Sequence, residues 1–154
     1  MLAYCWPVRV YYEDTDHGGV VYYANYLKFM ERCRTEFLRA RGFEQNQLIE
    51  QHDLIFAVRR VEVDYLTFAT FNEQLLVTAL VKQASKVRML FEQKIYRISH
   101  AAAYLSGGFV DTEAVEAEAP LLCQAKISVV SLSASRFRPQ RMPNIFFEEL
   151  MCEC

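Results

Sequence analysis

The spacing of apolar residues changes period once along this chain, and the change marks out its elements. Tyr23, Tyr26, Leu27, Met30, Cys33, Phe37 and Ala40 recur at steps of three and four. Lys28, Glu31, Arg32, Thr35 and Arg39 fall largely between them. This predicts one amphipathic helix from Ala24 to Arg41, with Gly42 as its stop. At 1.5 Å per residue it is about 27 Å long, enough to cross a small sheet. Elsewhere the period is two. Val8, Val10 and Tyr12 alternate with Arg9 and Tyr11, so a short strand is expected over Val8–Tyr12. Leu54–Tyr65 sets Ile55, Ala57, Val61 and Val63 against Phe56, Val58, Arg60 and Glu62. Gln74–Lys82 is an almost unbroken apolar run, which fits a central strand covered on both faces. Lys86–Ile98 alternates Val87, Met89, Phe91 and Ile95 with Arg88, Glu92 and Lys94, and the short link Gln83–Ser85 suggests a hairpin. Leu121–Leu132 is the last long strand. One long helix and then long strands give an α+β domain, the helix lying on an antiparallel sheet.

Two segments keep neither period. Residues 99–120 hold AAAYLSGG and then acidic EAVEAEAP, more chain than a hairpin needs, and read as a long loop or insertion. The plain reading is a solvent loop; the sharper one is a lid over a neighbouring site. The tail 136–154 runs from basic RFRPQRMP into an acidic apolar stretch and is assigned no element. No internal repeat is visible, so residues 1–154 read as a single domain.

Composition narrows the class. A chain of 154 residues that is 53% hydrophobic and 14% aromatic folds and buries a core. Its net charge of −2 argues against a general nucleic-acid binder. No apolar run reaches the roughly 18 residues of a membrane span, and no signal-peptide layout opens the sequence, so a cytoplasmic protein is expected. Cys5, Cys33, Cys123, Cys152 and Cys154 match no zinc spacing and are read as free thiols.

The chemistry concentrates in Tyr12–Tyr26, YEDTDHGGVVYYANY. An acidic cluster meets a glycine pair, whose backbone freedom allows a tight turn, and the chain then enters the helix. The first N–H groups of a helix have no intrahelical partner. A carboxylate beside such donors is equipped to polarise a carbonyl and assist attack on it. A calcium loop starting at Asp14 needs a glutamate where Asn25 stands and a helix where a strand is read. An aspartyl-phosphate phosphatase needs alternating helices and strands, and this pattern has one helix. Asp14 and Asp16 also suit plain capping of the turn and helix start.

Across VRVYYEDTDHGGVVYYANYLKFMERCRTEFLRARGF the chain resembles the hot-dog-fold acyl-CoA thioesterases. The likeness is to the 4-hydroxybenzoyl-CoA thioesterase class and, within it, the Tol–Pal-associated acyl-CoA thioesterases. RRVEVDYL (Arg59–Leu66) and FEQKIYR (Phe91–Arg97) continue the match. The resemblance implies a long central helix wrapped by a five-stranded antiparallel sheet. It also implies a homodimer joined edge to edge, often doubled to a homotetramer, with active sites at the interface. It assigns Asp16 as the catalytic carboxylate, nucleophile or general base, and the Tyr23 backbone N–H as the donor to the thioester oxygen. Gly19 and Val20 shape the approach, and Asn25 holds the loop or a dimer contact. Lys82, Ser85, Lys86 and Arg88 are nominated for the phosphates of CoA, with Arg59 and Arg60 as second choice. Glu13 and Asp14 are read as supports. His17 stands where relatives carry a small residue, and His52 and His100 have no named partner.

Two departures from the family stand out: Phe68-Ala69 where Pro-Ala is usual, and the 99–120 insertion. The implied function is hydrolysis of acyl-CoA to free acid and CoA, with no metal and no cofactor beyond the substrate's own CoA. Acyl carrier protein is the alternative carrier. A non-catalytic binding module for acyl-CoA or acyl carrier protein is the rival reading. Hot-dog dehydratases fit less well, since they need a histidine that no helix position supplies.

Overall fold

The computed structural model describes residues 1–99, 101–104 and 106–151. His100, Cys152 and Cys154, named above, lie outside them. Helix α1 spans Asn25–Ala40, within one residue of the expected bounds at either end. Its stop is a Schellman turn: Gly42 (φ 88°) donates to the Arg39 carbonyl at 2.9 Å, and Phe43 to the Leu38 carbonyl at 2.9 Å. Tyr26, Met30, Cys33 and Phe37 of the expected stripe are buried, joined by Phe29 and Leu38, which the spacing had not included, whereas Tyr23, before the helix, and Ala40, at its end, are exposed.

That stripe lies on an antiparallel sheet of six strands, in the order β2-β6-β4-β3-β1-β5. The strands are β1 (Leu2–Arg9), β2 (Leu54–Tyr65), β3 (Gln74–Ala84), β4 (Arg88–Arg97), β5 (Gly108–Asp111) and β6 (Leu121–Ser133). Expected and observed bounds agree closely for β2, β3, β4 and β6, and β3 lies inside the sheet as its apolar run required. The described residues also form α-helices α2 (Gln45–His52), α3 (Thr112–Glu118) and α4 (Asn144–Met151). The tail left without an element thus docks α4, burying Phe146 and Leu150 in the main core. Phe146 packs at 4.5 Å from the Phe43 ring and 5.3 Å from the Phe56 ring.

Three expectations are corrected. The first strand is Leu2–Arg9, whereas Tyr12 sits in a 3₁₀ turn over Tyr12–Asp14. Pro7 and the burial of consecutive residues Ala3, Tyr4 and Cys5 hide the alternation there. Pro7 is tolerated because β5 pairs only with Leu2–Cys5, so at Pro7 the strand has a single neighbour, β3. Second, a register shift between Val58 and Arg60 splits the faces of β2. Phe56 and Val63 therefore pack on the main core, while Ile55 and Ala57 pair with outer-face positions of β6.

The third correction concerns the count of strands and the insertion. Residues 99–120 carry β5 and α3, and β5 is the sixth strand, paired antiparallel to β1. The segment folds over the outer face of the sheet and builds a second core of Cys5, Leu76, Tyr96, Ile98 and Val115. Asp111 caps α3 by accepting the Glu113 N–H at 3.2 Å. Glu116 accepts from Lys94 at 2.6 Å and from the Tyr96 hydroxyl at 3.0 Å, tying α3 to β4. Val115→Ala is expected to cost about 2 kcal/mol, from lost burial and the cavity left behind. Urea unfolding would measure it; an unchanged midpoint would mean that α3 is not docked.

Candidate functional site

The run Asp14–Asn25 forms a loop folded back on itself. Asp16 N–H donates to the Val20 carbonyl at 2.9 Å, and Gly19 N–H to the Asp16 carbonyl at 3.0 Å. Gly19 has φ 78°, a region that glycine enters without strain. The Asp16 carboxylate is exposed and accepts the Gly18 N–H at 2.8 Å, an Asx turn that aims it outward. A Cβ on Gly18 would stand 3.2 Å from that oxygen, so the turn is tight around it. His17 is exposed beside it.

Asp14 works differently. It is buried, and its carboxylate accepts the Tyr11 N–H at 2.8 Å. Its carbonyl accepts the Tyr22 N–H at 2.9 Å and the Asn25 side-chain amide at 2.9 Å. Asn25 is only 7% exposed, so its amide is spent on holding this loop.

Helix α1 starts without a side-chain cap. Asn25 N–H reaches back to the Tyr22 carbonyl at 2.8 Å, and the Tyr22 N–H is taken by Asp14. The Tyr23 N–H has no hydrogen-bond partner among the described residues. The Tyr23 side chain is exposed, and its carbonyl accepts the Tyr65 hydroxyl at 3.1 Å. An open backbone donor at a helix start and an exposed carboxylate in the loop that leads into it are parts that a carbonyl substrate requires.

Several supports escaped the sequence reading. Ala69, fully buried, accepts the Val21 N–H at 2.8 Å and gives its own N–H to the Tyr26 hydroxyl at 2.9 Å. It acts through its backbone, and its only trace in the sequence is its place in the Phe68-Ala69 departure. Arg97 braces the same loop, donating to the Phe68 carbonyl at 2.8 Å and to Glu73 at 2.9 Å. Glu73 also accepts from the Thr70 hydroxyl at 2.8 Å. Burial alone would raise the Glu73 carboxyl, but the Arg97 and Thr70 bonds outweigh it and hold it below the usual range. Burial raises the Tyr26 and Tyr65 hydroxyls, so both stay neutral at pH 7.

The nominated cations do not join this site within one chain. Lys82, Ser85, Lys86 and Arg88 are exposed around the β3–β4 hairpin, closed by Ser85 N–H to the Arg88 carbonyl at 2.8 Å. Gln74, at the other end of β3, follows closely on residues 69–70, which pair with Val20 and Val21 of the Asp16 loop. The strand between those ends is about 35 Å long. Arg59, Arg60, Arg88 and Lys126 instead line an outer-face hollow together with Glu62. Among the described residues no cluster of three His, Cys, Asp or Glu side chains is placed to hold a metal. Among the described residues no helix is long and apolar enough to cross a membrane.

Comparison with known proteins places the chain in a family. A family model described as the thioesterase superfamily matches residues 18–103. The acyl-CoA thioesterase YbgC of Haemophilus influenzae is 47% identical over 95 residues, 62% of this chain and 70% of that protein. The acyl-CoA thioester hydrolase YbgC of Escherichia coli O157:H7 is 35% identical over 144 residues, 94% of this chain and 92% of that one. Among solved structures, a probable thioesterase from Bartonella henselae superposes with a TM-score of 0.75 at 28% identity, over 92% of this chain and 99% of that one. A 4-hydroxybenzoyl CoA thioesterase variant complexed with 4-hydroxybenzoyl CoA reaches 0.80 at 13% identity, over 96% and 98%. That last likeness concerns the fold alone.

The brace gives a signed pH dependence. A carboxyl held below its unfolded value stabilises fully above about pH 4.3 and loses that contribution as pH falls through the folded value. Glu73→Gln should therefore cost roughly 1 kcal/mol at pH 7, and the gap to wild type should close in acid. Urea midpoints measured across pH would contradict this by showing a constant gap.

Proposed function

This chain belongs to the thioesterase superfamily, and we propose from that premise that Asp16 and the Tyr23 N–H work as a pair on an acyl-CoA thioester. The overall reaction is hydrolysis of acyl-CoA to a free acid and CoA. The observation that supports the residue assignment is that the Tyr23 N–H has no partner among the described residues, in the same Asp14–Asn25 loop whose one exposed carboxylate is Asp16.

A thioester carbonyl is already electrophilic, and a thiolate leaves readily. The chain has to supply charge stabilisation and an attacking oxygen. The Tyr23 N–H meets the carbonyl oxygen as it gains negative charge; one such donor is worth about 3–4 kcal/mol. Asp16 either attacks the carbonyl carbon, expelling the CoA thiolate to leave a mixed anhydride for water to open, or takes a proton from the attacking water. Gly19 and Val20 shape that approach. Neither route as drawn calls on a metal or a further cofactor.

The site is completed by a second copy. Strand β2 pairs only with β6 among the described residues, and Val58, Val61 and Tyr65 on it are exposed. A long apolar edge of this kind calls for a partner strand. Two-fold pairing of β2 with itself is antiparallel and sets the Leu54 end of one copy against the Tyr65 end of the other. The hairpin end of the second copy, with Lys82, Ser85, Lys86 and Arg88, is thereby carried towards the Asp16 end of the first. That gives the CoA phosphates cations which one chain cannot bring there. The buried free thiols Cys5, Cys33 and Cys123 fit a reducing, cytoplasmic setting.

Asp16→Asn should lower kcat for thiol release from acyl-CoA by roughly 10²–10⁴-fold. Tyr23→Phe should stay within a few-fold of wild type, since the working group is the backbone. Wild-type rates in the Asp16→Asn protein would remove the mechanism, and no turnover of any acyl-CoA by wild type would return the binding-module reading. Val61→Asp should yield monomers by light scattering, with activity lost alongside. A fully active monomer would refute the shared site.

A further inference from the structure

Tyr65 closes strand β2 and is anchored there through its backbone. It pairs with Cys123 across the ladder to β6. Just beyond it, the N–H groups of Leu66 and Thr67 both donate to the Leu122 carbonyl, at 2.9 and 3.1 Å. From this fixed base the ring reaches the start of α1, 6.2 Å from the Tyr23 ring and 5.7 Å from the Tyr26 ring. The hydroxyl at its tip donates to the Tyr23 carbonyl at 3.1 Å. Desolvation against these neighbours raises the hydroxyl above its ordinary range, so it keeps its proton at pH 7. Tyr23 and Tyr65 are both exposed, so water would serve that carbonyl equally and the bond adds little to stability.

A carbonyl and the N–H that follows it share one planar peptide group. The Tyr23 carbonyl therefore belongs with the Ala24 N–H. Asn25 N–H returns to the Tyr22 carbonyl at 2.8 Å, closing a turn with Tyr23 and Ala24 at its centre. The N–H groups of both central residues meet no partner among the described residues. Ala24 already has helical angles (φ −68°, ψ −22°), so its donor belongs to the positive end of α1. A hydrogen bond accepted at a peptide carbonyl polarises that peptide and strengthens its N–H as a donor. It also holds the peptide in one orientation before charge develops on a substrate.

We infer that Tyr65 is a positioning residue: its hydroxyl fixes and polarises the Tyr23–Ala24 peptide, making the Ala24 N–H a second donor to the thioester oxygen beside that of Tyr23. The inference rests on the hydrolase reading and on Tyr23 as the first donor. Tyr65 itself touches no reacting atom. It stands on the edge strand proposed to pair with a second copy, so whatever holds β2 in place also holds the hydroxyl.

Tyr65→Phe removes the oxygen and keeps the ring. It should lower kcat for acyl-CoA hydrolysis roughly five- to tenfold, the effect of one hydrogen bond. KM should stay within about twofold, because the donors act mainly once the oxygen is charged. Melting temperature and mass by light scattering should match wild type. A ketone analogue of the acyl-CoA, with methylene in place of the thioester sulfur, releases no thiol, and its carbonyl stretch reports the donors directly. On wild type the infrared band of the isotope-labelled carbonyl should lie below its position in water, and on Tyr65→Phe it should return part of the way. A wild-type kcat in Tyr65→Phe would overturn the positioning role. So would a carbonyl band shifted equally on both proteins, and in that case the Tyr23 donor stands. A band at its water position on wild type would instead remove the Tyr23 donor, and the role of Tyr65 with it.

Discussion

The whole site hangs on the backbones of two buried residues, Asp14 and Ala69. The Asp14 carbonyl accepts from Tyr22 N–H and from the Asn25 amide, and so ties the turn to the first residue of α1. The Ala69 carbonyl accepts from Val21, while its N–H is given to the Tyr26 hydroxyl one residue into the helix. Between these clamps the N–H groups of Val21, Tyr22 and Asn25 are held, and that of Tyr23 meets no partner among the described residues. Each buried polar group in the clamp is satisfied, and breaking one partner would strand the other at a cost of about 1–3 kcal/mol. Rigid placement of this kind lets a single donor stabilise developing charge without reorganising.

The Phe68-Ala69 departure leaves the clamp intact because it falls on residue 68, where phenylalanine stands in place of the usual proline. What residue 68 gives the loop is its carbonyl, which accepts from Arg97 and which either residue supplies. Ala69, common to both patterns, keeps the carbonyl and N–H that meet Val21 and Tyr26. Loop 68–73 is then held from below by Arg97, through the Phe68 carbonyl and Glu73, so the support reaches into β4. Arg9 adds a further tie to the Asn72 carbonyl at 2.8 Å.

Much of this was legible in the residues, and what was not has identifiable causes. The period of α1 and the φ > 0 demanded at Gly42 are local properties, so helix and stop were readable. Strands with one covered face, such as β4, showed their alternation. Strand β1 did not, because α1 covers one of its faces and the insertion the other, so apolar residues stand side by side. The phase of β2 was lost at a bulge, which no pattern of period two can announce. The 99–120 segment looked structureless because its apolar residues answer to the outer face of the sheet, a surface absent from any local window. At the site, Asp16 was marked by its motif, whereas Ala69 acts through atoms every residue has. Asn25 was marked too, though only its hydrogen bond to Asp14 shows that it works by holding the loop.

The insertion also bears on which surface is open to the second copy proposed above. By covering the outer face over β1, β3 and β4 with Val115, Tyr104 and Val110, it closes that part of the sheet to another layer. The outer face that remains, across β2, β6 and β4, is charged: Arg60, Glu62 and Asp64 face Lys126, Gln124, Glu92 and Lys94. Burying such a surface means desolvating ions, and a pair must be well matched merely to recover that cost. The β2 edge presents the opposite case, with unpaired backbone groups and exposed valines that gain from any partner strand. The two faces of the sheet and its edges thus rank themselves, and the association that follows most directly is the one through β2.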